Sequence, residues 1–122
     1  AATRKAVLEL RAMKGMLLNK TDRDSWSAGS FFTNPIVSPE VAAKLPPEAP
    51  QWPTSDGRVK TSAAWLIEKC GYKGIRDGNT GTHDKHALII VNYGNASGYE
   101  IFKFSQKISC FLIFIIICLS FN

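Results

Sequence analysis

The 122-residue sequence predicts an α+β fold: a small single domain with a short, largely antiparallel sheet packed by helices, plus an apolar C-terminal tail. Three observations carry that prediction. Segments of helical and of strand periodicity alternate, joined by connections too short and irregular for a doubly wound parallel sheet. A chain of this length supplies one core and not two. The charge also stops abruptly: every Lys, Arg, Asp and Glu precedes Ile108, so residues 108–122 (ISCFLIFIIICLSFN) carry none and residues 1–107 hold the whole formal charge of +5.

The elements follow in order. In TRKAVLELRAMK (residues 3–14), Ala6, Val7, Leu10 and Met13 fall at helical spacing, and Gly15 follows as a stop. Residues 19–27 are polar and turn-rich. GSFFTNPIV (residues 29–37) joins aromatic and β-branched residues to a Pro suited to a strand end, which predicts a strand with Ser30, Phe32 and Asn34 on one face. Ser38 then caps a helix with Pro39 in its first position, and Pro46-Pro47 ends it. PPEAPQWPTSDGR (residues 46–58) reads as an extended loop, with a short strand at 58–60 opened by Gly57. Thr61 or Ser62 caps the helix AAWLIEKC, which Gly71 closes as a left-handed residue. Residues 74–85, rich in Gly, Asn, Asp and Thr, read as loop. HALIIVNY (residues 86–93) is the strongest strand pattern, and residues 95–98 turn into a last helix beginning near Tyr99.

Composition narrows the function classes. The longest basic run is Arg4-Lys5, and stretches such as Lys20-Thr21-Asp22-Arg23-Asp24 alternate sign, the pattern of a solvated surface rather than of a nucleic-acid stripe. No nucleic-acid partner is expected. Cys70, Cys110 and Cys118 form neither a paired framework nor a CxxC, which suits the reducing cytoplasm. The start, AATRKAVLEL, mixes charge into what a signal peptide would keep apolar, and the absence of an initiator Met predicts a start inside a longer protein. Residues 108–121 would span about 21 Å as a helix, short of a hydrocarbon core of about 30 Å. The alternative reading is nevertheless a small membrane-associated basic binding protein, anchored by this tail between Lys103, Lys107 and the bilayer.

Few residues can carry chemistry. Ala28 and Gly29 allow close approach to the backbone, the Ser30 hydroxyl follows, and Asn34 presents an amide on the same predicted face; an ordinary strand with a satisfied serine is the plainer reading. No GxSxG elbow surrounds Ser30. His83 and His86 are too few for a zinc site, and Lys85 between them opposes a cation, so no metal is expected. They read instead as loop and strand-start histidines donating to backbone. GNTGTHDK has neither P-loop spacing nor a dinucleotide fingerprint.

Three blocks do carry a resemblance: GSFFTNP, WPTSDGRVKTSAAWLIEKCGYKG, and the His-containing loop that leads into HALIIVNYGNASG. From about Val7 to about Lys107 the chain resembles the C-terminal, substrate-binding domain of the UDP-N-acetylenolpyruvoylglucosamine reductase family. The resemblance implies a cytoplasmic flavoenzyme of peptidoglycan precursor synthesis, in which NADPH reduces FAD, reduced FAD passes hydride to the enolpyruvyl group of UDP-N-acetylglucosamine enolpyruvate, and a serine protonates the neighbouring carbon to give UDP-N-acetylmuramate. On the family's motifs, Ser30 is that serine, Asn34 and Lys14 contact the diphosphate end, and His86 stands at the substrate-facing position before the ALxxxN strand. It implies no specific protein partner.

Two departures limit what carries over. The FAD-binding part that the family places N-terminal to this segment is absent, so no cofactor-binding residue is expected here. The family's C-terminal LEPE-type segment, with its assisting glutamate, is replaced by the apolar tail, and no Glu follows Glu100. The expectation is therefore a substrate-binding unit at 1–107, incomplete for catalysis, followed by foreign or out-of-frame sequence at 108–122.

Overall fold

The computed structural model describes residues 1–121; Asn122, the last residue of the predicted tail, lies outside them. Four helices, α1 (Ala2–Met13), α2 (Pro39–Ala43), α3 (Ala63–Lys69) and α4 (Gly98–Phe121), accompany six short strands, β1 (Ile36–Val37), β2 (Gln51–Pro53), β3 (Val59–Thr61), β4 (Arg76–Asp77), β5 (Thr80–Thr82) and β6 (Ile90–Asn92). The strands make two antiparallel three-stranded sheets, ordered β1-β3-β2 and β4-β5-β6. The α+β class is as the sequence predicts, with two small sheets in place of one.

The caps explain where the helices begin. Ser38 accepts from the Val41 N–H at 3.3 Å and Ser62 from the Trp65 N–H at 3.1 Å, each filling an orphan donor of the first turn. Ser97 and Glu100 form a reciprocal capping box for α4: the Ser97 N–H donates to the Glu100 carboxylate at 2.7 Å and the Glu100 N–H to the Ser97 hydroxyl at 3.1 Å. Gly71 closes α3 at φ 78°, as expected of a left-handed cap.

Three strand expectations are corrected. The strand predicted over 29–37 survives only as β1, because Gly29 takes φ 96° and the N–H groups of Phe31 and Phe32 both donate to the Leu88 carbonyl, at 2.7 and 3.3 Å. No ladder runs along Ser30, Phe32 and Asn34. The strand predicted over 86–93 shortens to β6, since the Ile89 N–H turns back onto the His86 carbonyl at 3.1 Å. The predicted loops at 46–58 and 74–85 instead contain β2, β4 and β5. Polar and Pro-rich residues masked them. Trp52 pairs opposite Lys60 in the hairpin that Gly57 turns at φ 83°, and the buried Thr80 and Thr82 satisfy their hydroxyls on the Asp77 and Tyr72 carbonyls.

The core gathers Ile67, Ala87, Ile90, Phe104 and Ile108, and a second cluster holds Leu45, Ala49 and Leu66. Leu112 packs against both. α4 runs through position 108 without a break, and Ile108 is fully buried, so the first turns of the apolar tail contribute to the core. Further along, Phe111, Ile113 and Phe114 are exposed. Among the described residues no helix is long and apolar enough to cross a membrane. α1 buries none of its residues, including the stripe of Val7, Leu10 and Met13.

Candidate functional site

The geometry centres on the turn between β5 and β6. Ser30 bridges Ile89 in an isolated antiparallel pair, which places the exposed serine against the end of the His86–Ile89 turn. Beside it a cleft of about 450 Å³ is lined by Leu18, Trp26, Gly29, Ser30, Ile90 and Asn92, among others. The cleft is built by connections from several elements. The Trp26 carbonyl accepts the Asn92 N–H at 2.8 Å, and the Trp26 indole donates to the Asn19 carbonyl at 3.0 Å. The buried Ser25 hydroxyl accepts the Asn19 N–H at 2.7 Å and fixes the loop that carries Leu18.

His86 is half-buried. Its Nδ1 accepts the Leu88 N–H at 3.4 Å, which leaves the proton of the neutral ring on Nε2. Burial first, and then the charges of Lys14, His83 and Lys73, hold its pKa below the ordinary 6.5. The ring at neutral pH is therefore a neutral hydrogen-bonding group beside two ammonium groups. Lys73 is shared with Glu68 at 3.3 Å. Lys14 caps the C-terminus of α1, and its charge reaches His86.

The structure brings three of the four predicted site residues toward this turn and directs the fourth elsewhere. Ser30 pairs with Ile89 at one end of the 86–89 turn and His86 stands at the other, while Lys14 acts on His86 through its charge. Asn34 is exposed, and its side-chain oxygen accepts the Ala63 N–H at 3.0 Å, so it faces the start of α3. Lys14, Asn34 and His86 do not line the cleft that holds Ser30. The two histidines also differ from expectation, since both accept backbone N–H groups at Nδ1: His83 takes that of Lys85 at 2.9 Å.

Sequence reasoning passed over Asn92 and Trp26. Asn92 accepts the Gly94 and Ala96 N–H groups at 3.0 and 3.2 Å and donates to the Ala96 carbonyl at 3.1 Å, closing the loop beside the cleft. The signal was an Asn at a strand end followed by Gly, an Asx-turn pattern.

The residues present do not fit FAD. Of the glycine-containing stretches that follow a strand, Gly78 to Gly81 lies in the β4–β5 hairpin and leads into no helix. Gly94 to Gly98 does lead from β6 into α4, but it lacks the dinucleotide spacing, and its N–H groups at Gly94, Ala96 and Ser97 are taken by the side chains of Asn92 and Glu100. Among the described residues no group of three or more His, Cys, Asp or Glu gathers for a metal.

A small α+β domain with a partly apolar cleft at Ser30, and with basic groups acting on His86 outside that cleft, is the class that fold and site define. The model of the family "UDP-N-acetylenolpyruvoylglucosamine reductase, C-terminal domain" matches residues 20–110, and the chain belongs to that family. It is 54% identical over 98 residues to the UDP-N-acetylenolpyruvoylglucosamine reductase of Cutibacterium acnes, covering 77% of this chain and 25% of the relative. It is 45% identical over 118 residues to that of Streptomyces coelicolor, covering 88% and 31%, and 46% identical over 119 residues to that of Thermobifida fusca, covering 88% and 33%. The chain thus spans a quarter to a third of the length of these curated relatives.

Proposed function

We propose that this chain is the substrate-binding part of a cytoplasmic, FAD- and NADPH-dependent reductase that converts UDP-N-acetylglucosamine enolpyruvate to UDP-N-acetylmuramate for peptidoglycan synthesis. The observation that carries the reading is the family match over residues 20–110, which contains Ser30, Asn34 and His86 in their motifs. The assigned unit is 1–107, followed by the apolar segment 108–122, of which residues 108–121 continue the last helix. The flavin is assigned to polypeptide outside this chain.

The chain's own residues bind the UDP-sugar and move one proton. Reduction of the enolpyruvyl double bond places a hydride on one carbon and a carbanion-like charge on the other. The Ser30 hydroxyl, exposed at the mouth of its cleft, donates its proton to that second carbon. Lys14 neutralises the diphosphate, Asn34 donates its amide N–H to it, and the neutral His86 offers Nε2–H to a substrate oxygen. Glu100 is occupied in capping α4, so it supports no second role in protonation.

The test is an NMR titration of the chain with UDP-N-acetylglucosamine enolpyruvate. Shifts concentrated at Lys14, Ser30, Asn34 and His86 support the reading. Shifts confined to the apolar helix, or none at millimolar ligand, contradict it.

A further inference from the structure

The C-terminal end of α1 closes in a Schellman motif: the Gly15 N–H donates to the Ala12 carbonyl at 3.0 Å and the Met16 N–H to the Arg11 carbonyl at 2.8 Å, with Gly15 at φ 68°. This motif fixes the backbone of Lys14, the residue just before it. Because α1 buries no residue of its own, its C-terminal end is seated through Gly15, which meets the ring of His83. A Cβ added at Gly15 would lie 2.3 Å from His83 Nε2 and 2.5 Å from Cε1, so only glycine permits the approach.

His83 is itself rigidly held. It is 3% exposed, its backbone N–H donates to the Ile89 carbonyl at 3.1 Å, and its Nδ1 accepts the Lys85 N–H at 2.9 Å, with the exposed Asp84 carboxylate 3.3 Å from the same nitrogen. The ring edge that meets Gly15 is therefore set by the turn that carries His86.

We propose that His83 is a positioning residue that seats the end of α1 and so holds Lys14 over the His86 turn. The inference rests on the proposed reading of Lys14 and His86 as substrate-facing groups and adds the residue that aligns them. The charged and titratable groups acting on His86 are Lys14 from the end of α1, His83 from the loop after β5 and Lys73 from the turn after α3. Removing the His83 contact should release the first of these while leaving Lys73 in place.

The experiment is a mutant cycle on the full 122-residue chain, read on the His86 ring by NMR pH titration. In the parent, Lys14→Ala raises the His86 midpoint. In the His83→Asn background, where the amide oxygen still accepts the Lys85 N–H but nothing reaches Gly15, Lys14→Ala leaves that midpoint unmoved. Gly15→Ala breaks the same contact from the other side, at a half-buried position, and is expected to abolish the Lys14 effect as well. An equal Lys14 effect in all three backgrounds overturns the proposal, as does no Lys14 effect in the parent. Binding of UDP-N-acetylglucosamine separates the two readings. A titration cycle that succeeds while Lys14→Ala leaves this affinity unchanged upholds the positioning and refutes the diphosphate role; agreement of both appears as about a tenfold loss from Lys14→Ala that shrinks in the His83→Asn background.

Discussion

The side-chain oxygen of Asn34 accepts the N–H of Ala63 at 3.0 Å, tying the GSFFTNP segment to the first residue of α3. Ser62 already caps the third residue of that helix, so Asn34 satisfies a different orphan donor from a distant part of the chain. One residue thereby anchors the loop that carries Ser30.

Asn34→Ala should cost about 1–3 kcal/mol of folding stability, because the Ala63 N–H of a buried residue loses its partner. Asn34→Asp keeps the acceptor and places a negative charge at a helix N-terminus, so it should retain stability. It should nevertheless lose UDP-sugar binding through repulsion of the diphosphate. Urea unfolding and ligand titration of the two variants check the split.

His86 gives the chain a pH dependence of known sign. Its folded pKa lies below the unfolded 6.5, so the unfolded state binds more protons between the two values. Its contribution is fully present above 6.5 and is lost as pH falls through the depressed value. His86→Gln should flatten that part of the fall, measured as midpoint denaturant concentration from about pH 7.5 downward. An anionic ligand beside the ring should also raise its proton affinity, so that binding takes up protons, read by calorimetry in buffers of different ionisation enthalpy.

The apolar end of α4 divides into a packed and an exposed part. Ile108→Ala should cost about 2–5 kcal/mol, since the side chain is fully buried among Ile67, Ala87, Ile90 and Phe104. Truncation after Leu112 removes the exposed Ile113 and Phe114 while keeping the contacts to both core clusters, and should raise soluble yield. Truncation after Lys107 should lower thermal stability, because it takes Ile108 and Leu112 with it.

The helices were legible because their signals are local: Ser38-Pro39, Thr61 or Ser62 before AAWLIEKC, and the turn at residues 95–98, whose Ser97–Glu100 box the structure adds. The sheets were less so. β5 is Thr-Gly-Thr, whose hydroxyls are buried because the carbonyls of Asp77, three residues back, and of Tyr72, ten residues back, receive them, and β2 contains a Pro that belongs to an edge strand. The GSFFTNP segment has strand composition but spends its N–H groups on one carbonyl of a turn nearly sixty residues away, a tertiary choice no periodicity records. Ser30 and His86 are proposed as site residues from their motifs alone. The seating of Lys14 by Gly15 and His83 depends on packing and could not.

The most direct test of the account is a pair of stopped-flow half-reactions on an enzyme in which this chain's residues 20–110 replace the matching segment of the Cutibacterium acnes relative, with and without Ser30→Ala. Flavin reduction by NADPH should be nearly equal in the two, which also shows that the chimera is folded. Reoxidation by UDP-N-acetylglucosamine enolpyruvate should slow by about 10²–10⁴-fold in Ser30→Ala, the range for a positioned general acid. Reoxidation at the unmodified rate would contradict the account, leaving Ser30 a loop serine with no part in the proton transfer.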